Sequence, residues 1–212
     1  MKLLTYRLLL ASVLLSFLVA GCANQPRKLT NPVISQDWPQ HETRVQAISQ
    51  WQALGKLGVK VPNDGGSANL NWQQHDQHFQ IDLNGPLGQG RMSIAGAPGQ
   101  VTFSEGGNAP QNAKTAEELI TKNTGWTIPV TQLAWWVRGL PEPKTKITRF
   151  EANNLGLIGE LEQMGWKLTY GDYLNVQNAQ GEQIPMPGRI VAEFKDIKLT
   201  LVIREWKLET VQ

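Results

Sequence analysis

The chain has 212 residues, with 20 Lys+Arg against 18 Asp+Glu, one cysteine and eight tryptophans. Lys2 and Arg7 account for the small basic excess, and a charge-balanced remainder argues against nucleic acid as a partner, which needs a basic surface. One thiol allows no disulfide within the chain, and so many large aromatics must fill a core or line an apolar cavity.

In chain order, Lys2 and Arg7 form a basic start, "LLLASVLLSFLVA" (8–20) is an apolar run, and small residues lead to Cys22. This is the pattern of a secretory signal, too short for a comfortable permanent span. The cysteine directly after Val19-Ala20-Gly21 resembles the signal of bacterial lipoproteins, with Val19 where Leu is commonest. That resemblance implies removal of residues 1–21 and acylation of Cys22. Each buried CH₂ is worth ~0.8 kcal/mol, and two or more chains anchor a protein stably. Ala23 follows the cysteine where Asp would mark inner-membrane retention, so the resemblance implies the outer membrane, periplasmic face. Residues 22–36 contain two prolines and no periodicity and are expected to be an acylated tether, with one domain over 37–212.

Asp37 is a plausible cap for a helix through "WPQHETRVQAISQWQ", with Val45, Ile48 and Trp51 on one face. The period then changes to two. Leu57/Val59/Val61, Leu70/Trp72, Phe79/Ile81/Leu83, Met92/Ile94 and Val101/Phe103 are five short runs separated by turn residues, the pattern of antiparallel strands with one apolar face. Thr115-x-x-Glu118 is a capping box. A second helix is expected over 128–141, with Pro129 in its first turn, Gly139 as its stop, and Val130, Leu133, Trp136, Val137 and Leu140 on one face. Two-residue periodicity returns in "ITRF", "LIGELEQ", "WKLTYGDY", "RIVAEF" and "IKLTLVIREW". The expected fold is mainly β: an incomplete, open antiparallel β-barrel whose concave apolar face is covered by the central helices.

Trp72, Phe79, Ile81, Met92, Ile94, Phe103 and Trp136 are the candidates for lining an apolar cavity, although parity alone does not decide which strand faces point inward. The hairpin "IDLNGPLGQGRMSI" (81–94) carries Leu87 at its turn; on spacing alone a scattered surface leucine, or one folded back on the sheet, explains it.

Motifs of catalysis are missing from the sequence: no G-x-S-x-G, no Walker A loop, no G-x-G-x-x-G after a strand. His75 and His78 lack further Cys/His partners for a metal site, and three apart they face opposite sides of a strand or are solvated in a turn. Glu117/Glu118 and Glu160/Glu162 are better read as a cap and an exposed strand face than as a glycosidase pair. No enzyme, cofactor or metal is expected.

The lipoprotein cysteine, "NGPLG", "WWVRGLP", "GWKLTYGDY" and "IPMPGRI", in this order, resemble the LolB family over the chain from about Asp37. The resemblance implies an open β-barrel with a helical lid and a cavity for acyl chains. The implied partners are a periplasmic LolA-like carrier, acylated cargo lipoproteins and outer-membrane lipid; a monomer is expected. It also assigns Leu87 to the protruding apolar loop that meets the membrane. A different class of function, an envelope-assembly or glycan-binding lipoprotein with a filled core, would use the same tryptophans as packing or as a sugar platform.

Overall fold

A computed structural model describes residues 35–85 and 90–209; Cys22 and Leu87 lie outside them. The chain divides into Met1–Thr30 and a compact unit of Asn31–Gln212, and the second carries every element described below.

Helix α1 (Trp38–Gln46) is followed by strands β1 (Gln50–Val61), β2 (Asp64–His75), β3 (His78–Asn84), β4 (Arg91–Ala97), β5 (Gln100–Glu105) and β6 (Gln111–Ala113). Helices α2 (Ala116–Thr124) and α3 (Val130–Trp136) come next. Strands β7 (Ile147–Ala152), β8 (Ile158–Gln163), β9 (Trp166–Gly171), β10 (Leu174–Gln177), β11 (Gln183–Met186), β12 (Arg189–Phe194) and β13 (Ile197–Glu209) complete the chain.

Eleven strands form one sheet in the order β6-β5-β4-β3-β2-β1-β13-β12-β9-β8-β7, while β10 and β11 pair separately. The described main-sheet pairings are antiparallel. The strands before and after the helices meet at β1–β13, so the open antiparallel sheet expected from the sequence is the fold, with β6 and β7 as its edges. Most connections are tight hairpins. Between β8 and β9, Met164 and Gly165 both take positive φ, 54° and 78°, as a two-residue turn matched to strand twist demands.

One expectation about elements is corrected. Helix α1 ends at Gln46, so Ile48 lies beyond it and Trp51 belongs to β1. The three-residue spacing looked helical because a buried loop residue and a strand residue happened to continue it. Asp37 occupies the cap position with extended backbone but makes no side-chain capping bond. The long β13 also changes parity. Leu199, Leu201 and Ile203 are buried, then Trp206 and Leu208, with Arg204 and Glu205 both exposed between them. The β1–β13 register slips at Leu54/Gly55, a bulge that swaps the inward-facing set. Glycine is required opposite it: a Cβ on Gly55 would lie 2.1 Å from the Val202 carbonyl oxygen.

The capping box forms in modified shape. Thr115 Oγ1 accepts from the Glu118 amide at 3.2 Å, and the Glu118 carboxylate reaches the Lys114 amide at 3.2 Å. Gly125, at φ 75°, ends α2 in the left-handed conformation. Glu117 then accepts from the Thr131 amide at 2.8 Å, tying α2 to the first turn of α3, where unpaired N–H groups favour a carboxylate.

Candidate functional site

Helix α3 has one buried side and one side that borders a cleft. One side of it carries Leu133, Trp136, Val137 and, beyond its end, Leu140, all buried. Trp136 is fully buried, 6.2 Å from Trp166, which stacks on Phe194 at 5.4 Å. The Trp136 indole donates to Gln163 Oε1 at 2.9 Å. Gln163 also accepts from the Glu142 amide and donates to the Glu142 and Thr145 carbonyls, at 2.9, 3.0 and 2.8 Å. Every hydrogen-bonding position of that buried amide is used.

The other side of α3 faces a cleft of about 670 Å³. Val130, Ala134 and Arg138, at four-residue spacing, share its wall with Trp135. Its floor is Trp51, Trp72, Phe79 and Val101, from β1, β2, β3 and β5. Trp51 tilts against Trp72 at 5.4 Å and against Trp206 at 5.6 Å. The rim is polar: Gln74, Asp76, Gln77, Lys114, Glu117, Glu142 and Lys144 also border the cleft. An apolar floor under a polar rim, at this volume, suits a largely apolar ligand with one polar end.

Trp72, Ile81, Ile94 and Phe103 are paired in register across β2–β5, one row of side chains on one face of the sheet. Phe79, opposite Gly96 and then Val101, lies in a second row, and Met92, opposite Leu83, in a third. Trp72 and Phe79 line the cleft. Ile81, Ile94 and Phe103 are buried in the continuous core, Met92 packs half-buried against it, and Trp136 lies on the closed side of α3. The lining residues Trp51, Val130, Ala134, Trp135 and Arg138 were not among the sequence candidates. The signal for Arg138 was present: a charged residue at helical spacing from Val130 and Ala134, next to an apolar helix face.

His75 and His78 are directly opposed across the two-residue turn Asp76-Gln77, so they share a side rather than facing apart as three-residue strand spacing suggests. Both are exposed, and among the described residues no group of three or more His, Cys, Asp or Glu is placed to hold a metal ion. Glu160 is within 3.1 Å of Arg149, and Glu117 and Glu118 serve as helix caps. No described helix is long and apolar enough to cross a membrane.

The sequence profile of the family described as "Outer membrane lipoprotein LolB" matches residues 49–206. The chain is 47% identical over 204 residues to the outer-membrane lipoprotein LolB of Cellvibrio japonicus, covering 96% of this chain and 98% of that one. It is 34% identical to the Stutzerimonas stutzeri protein of the same name, covering 91% and 92%. Its fold is similar to the crystal structure of a LolA superfamily protein from Nitrosomonas europaea, with TM-score 0.53, 9% identity, and 84% and 96% of the two chains covered.

Proposed function

The chain belongs to the LolB family of outer-membrane lipoproteins, and from that premise we propose that the cleft beside α3 receives the acyl chains of lipoproteins delivered by a LolA-like carrier. The protein is a lipid-anchored receptor at the periplasmic face of the outer membrane. The observation that carries the acyl-binding reading is the cleft itself, floored by Trp51, Trp72, Phe79 and Val101. A carrier and a receiver that each offer an apolar cavity spare the chains exposure to water. A tenfold difference in affinity takes only ~1.4 kcal/mol, so transfer needs no nucleotide and no covalent step. In this reading Cys22 holds the receptor at its destination, residues 22–36 are the tether, residues 37–212 act as a monomeric receptor domain, and Leu87 meets the membrane lipid. A filled-core glycan-binding or assembly lipoprotein is not favoured, given the family and the open cleft.

Transfer of a labelled lipoprotein from its carrier to this protein tests the reading, with Phe79→Glu as the variant. An unpaired carboxylate on the apolar floor is costly to desolvate, and acceptance should fall at least tenfold while the fold is kept. Wild-type acceptance by a folded Phe79→Glu protein would remove the cleft from the path.

A further inference from the structure

The cleft contains a cation that a purely apolar cavity has no use for. Arg138 is 7% exposed and lines the wall. Its Nε donates to the Ala134 carbonyl at 3.1 Å, and Nη1 donates to the Ile48 carbonyl at 3.0 Å and the Val45 carbonyl at 3.5 Å. The guanidinium lies over the Trp135 ring, 4.8 Å from its centroid. Among the described residues no carboxylate lies within ion-pair distance of it. Burial lowers its pKa to about 10, so it is charged at neutral pH.

Holding the end of α1 against α3 uses Nε and Nη1. Nη2 makes no hydrogen bond among the described residues, and the residue it belongs to lines the cleft. A planar guanidinium fixed by two of its nitrogens presents the third without further loss of freedom. We propose that Arg138 Nη2 is the polar anchor of the acyl cleft, donating to the carbonyl oxygen at the head of a bound acyl chain while the chain lies on the aromatic floor. This rests on the acyl reading of the cleft and adds an orientation to it. Esters and amides of a lipoprotein and free fatty acids share the acceptor.

The test uses the compact unit, produced without residues 1–30, and three competitors of equal chain length against a fluorescent acyl probe: methyl palmitate, palmitate and hexadecane. Wild type should prefer methyl palmitate over hexadecane by about tenfold, the scale of one hydrogen bond to a charged donor. Arg138→Met should abolish the preference, read as the ratio of the methyl palmitate and hexadecane displacement constants within the variant. A folded variant that keeps the wild-type ratio overturns the anchor. A preference larger for the ester supports a lipoprotein source, and one larger for palmitate supports a fatty-acid source; either supports the anchor. Equal binding of all three to wild type overturns the anchor and leaves the acyl cleft standing, whereas no displacement by any of them overturns both. Should Arg138→Met fail to fold, the infrared carbonyl stretch of ¹³C-labelled methyl palmitate bound to wild type decides. A shift to lower frequency than in hydrocarbon supports the hydrogen bond, and an unshifted band overturns it.

Discussion

Trp135 and Trp136 are neighbours in one helix and do opposite work. Trp136 is sealed, with its indole N–H spent on Gln163 and its ring beside Trp166. Trp135 is half-buried on the cleft wall under a guanidinium. On the side of Trp136 the sheet is closed: Ile158, Leu161, Leu168 and Ile190 of β8, β9 and β12 are at 1% exposure or less. On the other half Trp51 and Trp72, each 3% exposed, and half-buried Phe79 line the cleft. One sheet thus supplies a core on one side of α3 and the cleft proposed to bind acyl chains on the other. The same residue type is structural or functional according to which side of a single helix it projects from.

The largest effect expected from breaking this contrast is at Trp136. Trp136→Ala removes a fully buried ring and leaves Gln163 a partner short, and should cost about 3–5 kcal/mol. Trp135→Ala exposes little that was sealed and should cost no more than about 1.5 kcal/mol, while weakening acyl-probe binding several-fold. Denaturant titration together with probe binding separates the two. Equal destabilisation by both changes would mean that the two halves are packed alike.

A second contrast sharpens the closed half by proton. His41 on α1 is buried, and burial first, with Arg44 second, lowers its pKa to about 4. The unfolded chain binds that proton with the ordinary value of about 6.5, so the folded state is the one that resists protonation. The contribution is fully present above pH 6.5 and is lost as pH falls towards 4, by up to roughly 3 kcal/mol. His41→Leu should show a shallower loss of stability over that window, and an unchanged pH slope would place the acid sensitivity elsewhere.

The parts of this arrangement that local pattern carries were readable in the residues. Two-residue periodicity marked the long strands, Thr115 and Glu118 the start of α2, and Val130, Leu133 and Trp136 the inner face of α3. What was hidden depends on distant contacts. Trp51 continues a three-residue spacing from Val45 and Ile48, and only the break after Gln46 makes it a strand residue. The parity change in β13 follows from a bulge opposite Gly55. Strands β6, β10 and β11 have three or four residues, too few for a period to register. The cleft was half legible. Strand parity gathers Trp72, Ile81, Ile94 and Phe103 into one buried row, but only Trp72 of the four borders the cleft, which the period alone does not decide.

The smallest stability effect is expected at Leu87, where the contrast is between the two ends of β3 and β4. Asp76 and Gln77 before β3, and Pro98 and Gly99 after β4, border the cleft. The connection that contains Leu87 joins the opposite ends of these strands, after Asn84 and before Arg91. Seven residues of strand separate the ends by about 20 Å, so a change at residue 87 should leave acceptance of cargo intact. Leu87→Glu should alter folding stability by no more than ~0.5 kcal/mol, as surface changes away from special features do. A leucine inserted among lipid gains ~1.5–3 kcal/mol, enough to bias the domain towards a bilayer and too little to anchor it. The expected signature is therefore a split between steps: normal uptake from the carrier and slowed delivery to liposomes. Delivery at the wild-type rate would reduce Leu87 to a surface leucine, and a large fall in thermal stability would mean that it packs inside.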